Sequence, residues 1–273
     1  MAITQTIFKS AGRKIAAFLD IPKADNPPTI IYSHGFTSSG TKESTPQGTH
    51  KVVKTANRLR DIGFLVLRFD YRGLGRSEGT ILEDGLAGEV EDLKAAYNFA
   101  VDRGFEKISF LGSSLGSAVA LLSYDYLKPM SMVLWNPVTN LKTFTHPYRD
   151  YSENEVREII GKRGSVVFND EGKKYTLGTT YLKEIMDFKD GLRSDLDLQE
   201  ALAKVRCPTL VIHGTADEVL SFKECKDSFK MIPSHNKKLI AIEGAGHGFY
   251  PVDSEYELKA VTATVEWFDK HGR

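Results

Sequence analysis

The chain opens with three short apolar-rich runs, Thr4 to Phe8, Lys14 to Ile21 and Thr29 to Ser33, the first two separated by Ala11 and Gly12. That arrangement predicts an antiparallel hairpin for the first pair. Beyond them, short and nearly continuous apolar runs alternate with longer segments of helical period. The runs are Ile62 to Phe69, Ile108 to Leu111, Met132 to Trp135, Leu210 to Ile212 and Leu239 to Ile242. Their lack of polar interruption predicts strands buried on both faces. Leu86, Val90, Leu93, Tyr97 and Ala100 recur at intervals of three or four residues, as one face of a helix does. Glu255 to Lys270 reads the same way. Strand and helix in alternation imply a mostly parallel sheet with helices on both sides.

One segment breaks the rhythm. From Val138 to Arg206 the chain is polar and rich in Tyr and charged residues, with a helix expected at Glu153 to Ile160. A hairpin is expected around Val166 to Thr176, turned by Asn169, Asp170, Glu171 and Gly172. The segment adds nothing to the strand order and is read as an inserted cap. The expected division is an α/β core at 1–137 and 207–273, with the cap at 138–206.

Composition narrows the function classes. The 273 residues are 41% hydrophobic, which is enough to build a core. Lys plus Arg and Asp plus Glu number 36 each, so no global field favours a polyanion, and nucleic acid is not expected as a partner. No apolar stretch approaches the roughly 20 residues that cross a bilayer. The first residues, MAITQTIFKSAGRK, lack the apolar core and cleavage site of a secretory leader. The expectation is a soluble, cytoplasmic protein without a membrane partner, its oligomeric state open. Cys207 and Cys225 form neither a disulfide framework nor a zinc spacing.

The sharpest chemical signal is Gly112-Ser113-Ser114-Leu115-Gly116, between the run ending at Leu111 and a helical stretch containing Val119, Leu121 and Leu122. A serine on a tight strand-to-helix turn is exposed as a nucleophile, and the helix amides behind it face a developing oxyanion. A small-residue turn or a phosphate-binding glycine loop is the alternative, although the Lys-Ser/Thr ending of a P-loop is missing. A serine hydroxyl needs a base, and the base needs an orienting carboxylate. His247 follows the last buried run within Gly244-Ala245-Gly246-His247-Gly248, and Asp217 follows the preceding run within His213-Gly214-Thr215-Ala216-Asp217. Both fall where sites form in parallel sheets. Their order along the chain, Ser, Asp, His, is that of the nucleophile-elbow fold. Glu218 is the alternative acid, and Asp217 could instead cap the helix beginning near Ser221. The backbone N–H groups of Leu115 and Phe36 are the candidate oxyanion donors, Phe36 because Ser33-His34-Gly35-Phe36 opens a Gly/Ser/Thr-rich loop after a strand. His34 is read as a structural residue of that loop.

Taken together, these residues resemble those of an α/β-hydrolase. The resemblance adds Asp70-Tyr-Arg-Gly-Leu-Gly-Arg-Ser77, which is similar to the loop supporting the elbow, and extends over nearly the whole chain outside the insertion. The early hairpin, the His34-Gly35-Phe36-Thr37 start and the insertion after Trp135 resemble small bacterial cinnamoyl or feruloyl esterases and their serine-aminopeptidase-like relatives. The resemblance implies acyl transfer to water with no cofactor and no metal, on a small-molecule ester. Ser114 is then the nucleophile, His247 the base and Asp217 the acid. It also implies a cap covering an aromatic acyl group, with Phe144, Tyr148, Phe168, Tyr175 and Tyr181 available for that role. The same triad would serve an amidase, peptidase or thioesterase, and the fold alone would serve a non-catalytic binding protein.

Overall fold

Ala11 and Gly12 both take positive φ, 46° and 83°, as a two-residue turn between twisted strands requires. They join β1 (Ala2–Ser10) and β2 (Arg13–Ile21) in the expected antiparallel hairpin. The remaining core strands are β3 (Thr29–Ser33), β4 (Leu65–Phe69), β5 (Ile108–Ser113), β6 (Met132–Trp135), β9 (Thr209–Gly214) and β10 (Lys237–Ile242). The computed structural model describes residues 2–36, 40, 50–80, 82, 84–145, 148–163, 165–170, 173–251 and 253–273. Within it the eight strands form one sheet in the order β1-β2-β4-β3-β5-β6-β9-β10. From β4 to β10 every pairing is parallel, and β2 joins β4 antiparallel. The protein therefore has the α/β-hydrolase architecture expected of the sequence.

Alternation along each strand divides the core. Ile30 and Tyr32 of β3 face one layer while Ile31 faces the other, as the two-residue period dictates. The first layer holds α1 (Lys51–Asp61) and α8 (Glu255–His271), whose Val52, Ala56, Leu59, Ala260 and Phe268 are buried against Trp135 and Ile212. Trp135 is 1% exposed and its indole N–H donates to Thr264 Oγ1 at 2.8 Å. A ring so placed typically costs about 3–5 kcal/mol to remove. The second layer holds α2 (Leu86–Val101) and α3 (Leu115–Leu127).

Between β6 and β9 lie α4 (Glu153–Gly161), the hairpin β7 (Ser165–Asp170) and β8 (Lys173–Gly178), α5 (Thr179–Lys189) and α6 (Leu198–Lys204). Ser152 and Glu155 close a capping box at the start of α4. Val156, Val166, Leu177 and Ile185 share one apolar cluster with the α2 and α3 layer. This β6-to-β9 segment thus shares the apolar cluster of the α2 and α3 layer. The hairpin's predicted turn residues Glu171 and Gly172, and the side chains of Phe168 and Tyr175, lie outside the described residues, as do most positions of the loop after Phe36.

Two expectations need correction. Ile62 to Phe69 is not one strand: Ile62 caps α1, the Phe64 N–H donates to Leu59, and β4 starts at Leu65. Leu239 to Ile242 is not buried on both faces, because β10 is the sheet's edge and has β9 on one side only. Lys237 and Lys238 open it, in keeping with an edge that discourages further pairing. Among the described residues no helix is long and apolar enough to cross a membrane.

Candidate active site

Ser114 sits between β5 and α3 with φ 53° and ψ −120°, a conformation that costs on the order of 1–3 kcal/mol. Close packing around it explains both glycines of the motif. A Cβ on Gly112 would lie 2.7 Å from Ser117 Cα, and one on Gly116 would lie 2.2 Å from the Ser33 carbonyl oxygen. The Ser114 N–H donates to Trp135 O at 2.8 Å, tying the elbow to β6.

β10 is followed by a short 3₁₀ turn at His247–Phe249. That turn brings His247 Nε2 to 3.1 Å from Ser114 Oγ. On its other side, His247 Nδ1 is 2.9 Å from Asp217 Oδ2. The network assigns the proton to Nδ1, which donates to the carboxylate and leaves Nε2 to accept from the serine. Ser114, His247 and Asp217, which lie far apart in sequence, therefore form one continuous chain. Glu218 Oε2 accepts the His247 backbone N–H, at 3.3 Å, rather than a hydrogen from the ring.

Asp217 is held from every direction. Its Oδ1 accepts from the Val219 and Leu220 N–H groups at 2.9 and 2.8 Å. Its Oδ2 also accepts from Asn136 Nδ2 at 2.5 Å. Its side chain is 0% exposed, against 23% for His247. Burial alone would raise its pKa, but the hydrogen bond and charge of His247, the Leu220 N–H and Asn136 together bring it below the usual carboxylate value. The capping alternative is answered locally, since Ser221 caps α7 (Phe222–Phe229) through its own side chain. Asn136 was not among the candidates read from the sequence. It follows β6 with a positive φ of 40°, and an Asn between a strand's last residue and Pro137 is the signal that could have found it.

The oxyanion candidates flank the same serine. Leu115 opens α3, where the first N–H groups have no intrahelical acceptor. A Cβ on Gly35 would sit 3.2 Å from Ser114 Cβ, so the chain entering Phe36 runs against the elbow. His34 is structural, as expected: Nε2 accepts from the Tyr71 N–H at 3.1 Å while Nδ1 donates to Gly35 O at 2.8 Å. Ser33 Oγ donates to Gly116 O at 2.7 Å and accepts from the Tyr71 hydroxyl. The loop from Asp70 to Ser77 thus braces the elbow through β3. Asp70 closes that loop on itself by accepting the Arg76 N–H at 2.8 Å.

Helix α5 leans on this region. Its Tyr181 ring packs 5.4 Å from Phe36. One turn on, Glu184 Oε2 accepts the Ala87 N–H at 3.2 Å, at the start of α2. Asp84, Glu89 and Asp92 gather there with Arg72, whose guanidinium holds Asp92 at 2.7 Å. Burial, followed by neighbouring carboxylates and only partly offset by the Gly85 N–H and Arg72, pushes the Asp84 pKa up to about 7. The same causes raise Glu89 well above its ordinary value. Glu89 Oε2, Asp84 Oδ1 and the Tyr181 hydroxyl have no hydrogen-bond partner among the described residues. No three His, Cys, Asp or Glu side chains among the described residues are grouped to hold a metal ion.

The family described as serine aminopeptidase, S33, matches residues 31–163 and 187–254, which include all three residues of the relay. The chain belongs to this family. Its sheet and helices are those of the α/β-hydrolase fold. The chain is 27% identical over 79% of its length to lysophosphatidylserine lipase ABHD12 of Rattus norvegicus, of which it spans about half, 48%. Among solved structures it resembles Est1E from Butyrivibrio proteoclasticus with ferulic acid bound, at 21% identity and a TM-score of 0.74, over 97% of this chain and 98% of that one. It also resembles the esterase domain of a Rhodothermus marinus protein, at 22% identity and a TM-score of 0.73, over the full length of both chains.

Proposed function

We propose that the protein is a carboxylesterase of small or aromatic, cinnamoyl-type esters, working through Ser114, His247 and Asp217. The observation that carries this reading is the unbroken relay, 3.1 Å from Ser114 Oγ to His247 Nε2 and 2.9 Å from His247 Nδ1 to Asp217 Oδ2. Ser114 Oγ attacks the ester carbonyl carbon as its proton passes to His247 Nε2. The Leu115 and Phe36 N–H groups receive the carbonyl oxygen as it becomes an oxyanion, and one such donor is typically worth about 3–4 kcal/mol. Collapse of the tetrahedral intermediate breaks the bond to the alkoxy oxygen, which takes the proton back from His247 and leaves as the alcohol. Water, deprotonated in turn by His247, hydrolyses the acyl-enzyme and frees the acid. Asp217 stays ionised throughout and holds the imidazolium.

The insertion is proposed to act as the cap. The Phe36–Tyr181 ring contact supports an acyl pocket walled by aromatic side chains. Ferulic acid in the related Est1E agrees with that choice of acyl group. The protein is proposed to work as a soluble, cytoplasmic enzyme. The S33 description itself favours a second reading, in which the same relay cleaves an aminoacyl amide. The experiment compares wild type with Ser114→Ala and Ser113→Ala on p-nitrophenyl esters of rising chain length, methyl ferulate and an aminoacyl p-nitroanilide. Ester cleavage lost only in Ser114→Ala is the expected result. Cleavage of the anilide alone turns the assignment to a peptidase, and ester cleavage surviving in Ser114→Ala sinks the reading.

A further inference from the structure

We propose that His213 is a positioning residue of the relay, pinning the Asp217–Leu220 turn as the neutral Nε2–H tautomer so that the Asp217 carboxylate stays aimed at His247. The proposal rests on the esterase reading for its kinetic test and on geometry for everything else. His213 lies on β9 with its side chain 0% exposed. Its Nε2 is 3.2 Å from Leu220 O and 3.4 Å from Asp217 Oδ2. A carbonyl and an ionised carboxylate can only accept, so Nε2 must carry the hydrogen. The other ring nitrogen, Nδ1, is then a bare acceptor, and it is buried with no hydrogen-bond partner among the described residues.

That orphan separates positioning from core filling. A Leu or Phe could occupy the same volume without stranding a polar atom, which typically costs about 1–3 kcal/mol. What the imidazole offers in return is a donor to the Leu220 carbonyl, with its N–H end 3.4 Å from the Asp217 carboxylate, at the turn that presents Asp217. A cavity of about 680 Å³ lies against this turn, lined by Asp217, Leu220 and Phe222, yet the Asp217 side chain itself stays unexposed. The groups facing His213 keep its tautomer constant. They are Asp217, the Phe222 ring at 5.7 Å and, across the carboxylate, His247. The Cys225 thiol of α7 and the Asn136 amide approach the same carboxylate, and the thiol is held neutral by burial and by Asp217. Burial first, with the nearby His247, lowers the His213 pKa to about 4 against the pull of Asp217. Across the pH range of an esterase assay, then, His213 acts as a fixed dipole.

The test pairs His213→Gln, whose amide N–H can reach the same acceptors, with His213→Leu, which fills the space and cannot donate. His213→Gln is expected to keep the wild-type acid limb of the kcat/KM profile and to lose no more than about threefold in kcat. His213→Leu is expected to lower kcat about ten- to a hundredfold with KM little changed, as a displaced catalytic group does. Its acid limb should move to lower pH, because an imidazolium that loses its carboxylate is less favoured. Leu and Gln variants with the same kcat and acid limb, differing only in Tm, overturn the proposal, and so does a folded Gln variant as impaired as Leu. Nitrogen-15 NMR of the histidine-labelled wild type decides independently of substrate and of whether the Leu variant folds. Its expected result is a neutral His213 protonated on Nε2 from about pH 5 to 9; a proton on Nδ1, or titration near neutrality, overturns it. If Ser114→Ala keeps esterase activity, the catalytic reading fails while the NMR arm still decides the tautomer.

Discussion

Asp217, after β9, and Glu89, in the first turn of α2, are both carboxylates shut away from water, and they meet opposite surroundings. Around Asp217 two backbone N–H groups, the Asn136 amide and the His247 ring all point their hydrogens inward. Around Glu89 stand Asp84, Asp92 and Glu184, and its Oε2 accepts from no described residue. Arg72 is a cation of that cluster, its guanidinium committed to Asp92, Glu91 and Ser10, while Arg193 lies 3.7 Å from Glu184 at the outer side. Two carboxylates closed to solvent are thus pushed in opposite directions, Asp217 below its ordinary pKa and Glu89 well above it. Burial pushes both upward, and the donors gathered around Asp217 reverse that push where the carboxylates around Glu89 add to it.

The comparison breaks most sharply at Asp217. Asp217→Asn is expected to leave the fold intact and lower kcat/KM by about two to four orders of magnitude, since the amide would present the wrong partner to His247. Near-normal turnover would move the acid role to Glu218. Next in size is Arg72→Leu, which leaves Asp92 buried without its ion pair. Loss of about 3–5 kcal/mol in denaturant unfolding is expected, and an unchanged midpoint would mean that the cluster is already neutral without Arg72.

The two regions should also pull stability in opposite directions with pH. The Asp84 pKa is raised from 3.8 to about 7 on folding, so the folded chain holds a proton that the unfolded chain has released. Its contribution is full below about pH 4 and is lost as pH rises through about 7. The Asp217 pKa is lowered, so its contribution is present above the unfolded value and is lost as pH falls through the folded one. Tm measured from pH 5 to 8 should therefore decline in the wild type and decline less in Asp84→Asn. Parallel curves would remove Asp84 from the cluster's proton uptake. The smallest effect is expected of Glu89→Gln, because burial and neighbouring carboxylates favour the neutral acid, which Gln resembles. Activity within about twofold, with a Tm equal to wild type near pH 4 and increasingly higher than wild type as pH rises, would sharpen the contrast; a Tm below wild type at pH 7 would mean that Glu89 is ionised after all.

The sheet and the relay are legible in the sequence for the same reason. Buried parallel strands need unbroken apolar runs, and the site residues follow the ends of those runs at Ser113, Gly214 and Ile242. What surrounds the relay is less legible. Asn136 and His213 act through one turn whose shape appears only once β6 and β9 are side by side. Helix α1 carries a readable signal, Val52, Val53, Ala56 and Leu59 at helical spacing, but it is short and charged enough to pass for loop. The acidic cluster is invisible to local patterns, since Asp84, Glu89 and Glu184 come from two segments that meet only when α5 docks on α2.

β10 is the last strand along the chain, and it delivers His247 to a serine 133 residues upstream. Polypeptide synthesis at about 5–20 residues per second separates those two positions by roughly 7 to 27 s. During that interval the ribosome has made a nucleophile without its base, and a serine alone is a poor one. On the proposed roles, docking of the edge strand is the moment at which the newborn chain becomes able to turn over substrate. Appearance of activity in a synchronised translation reaction would then be a clock for completion of the sheet.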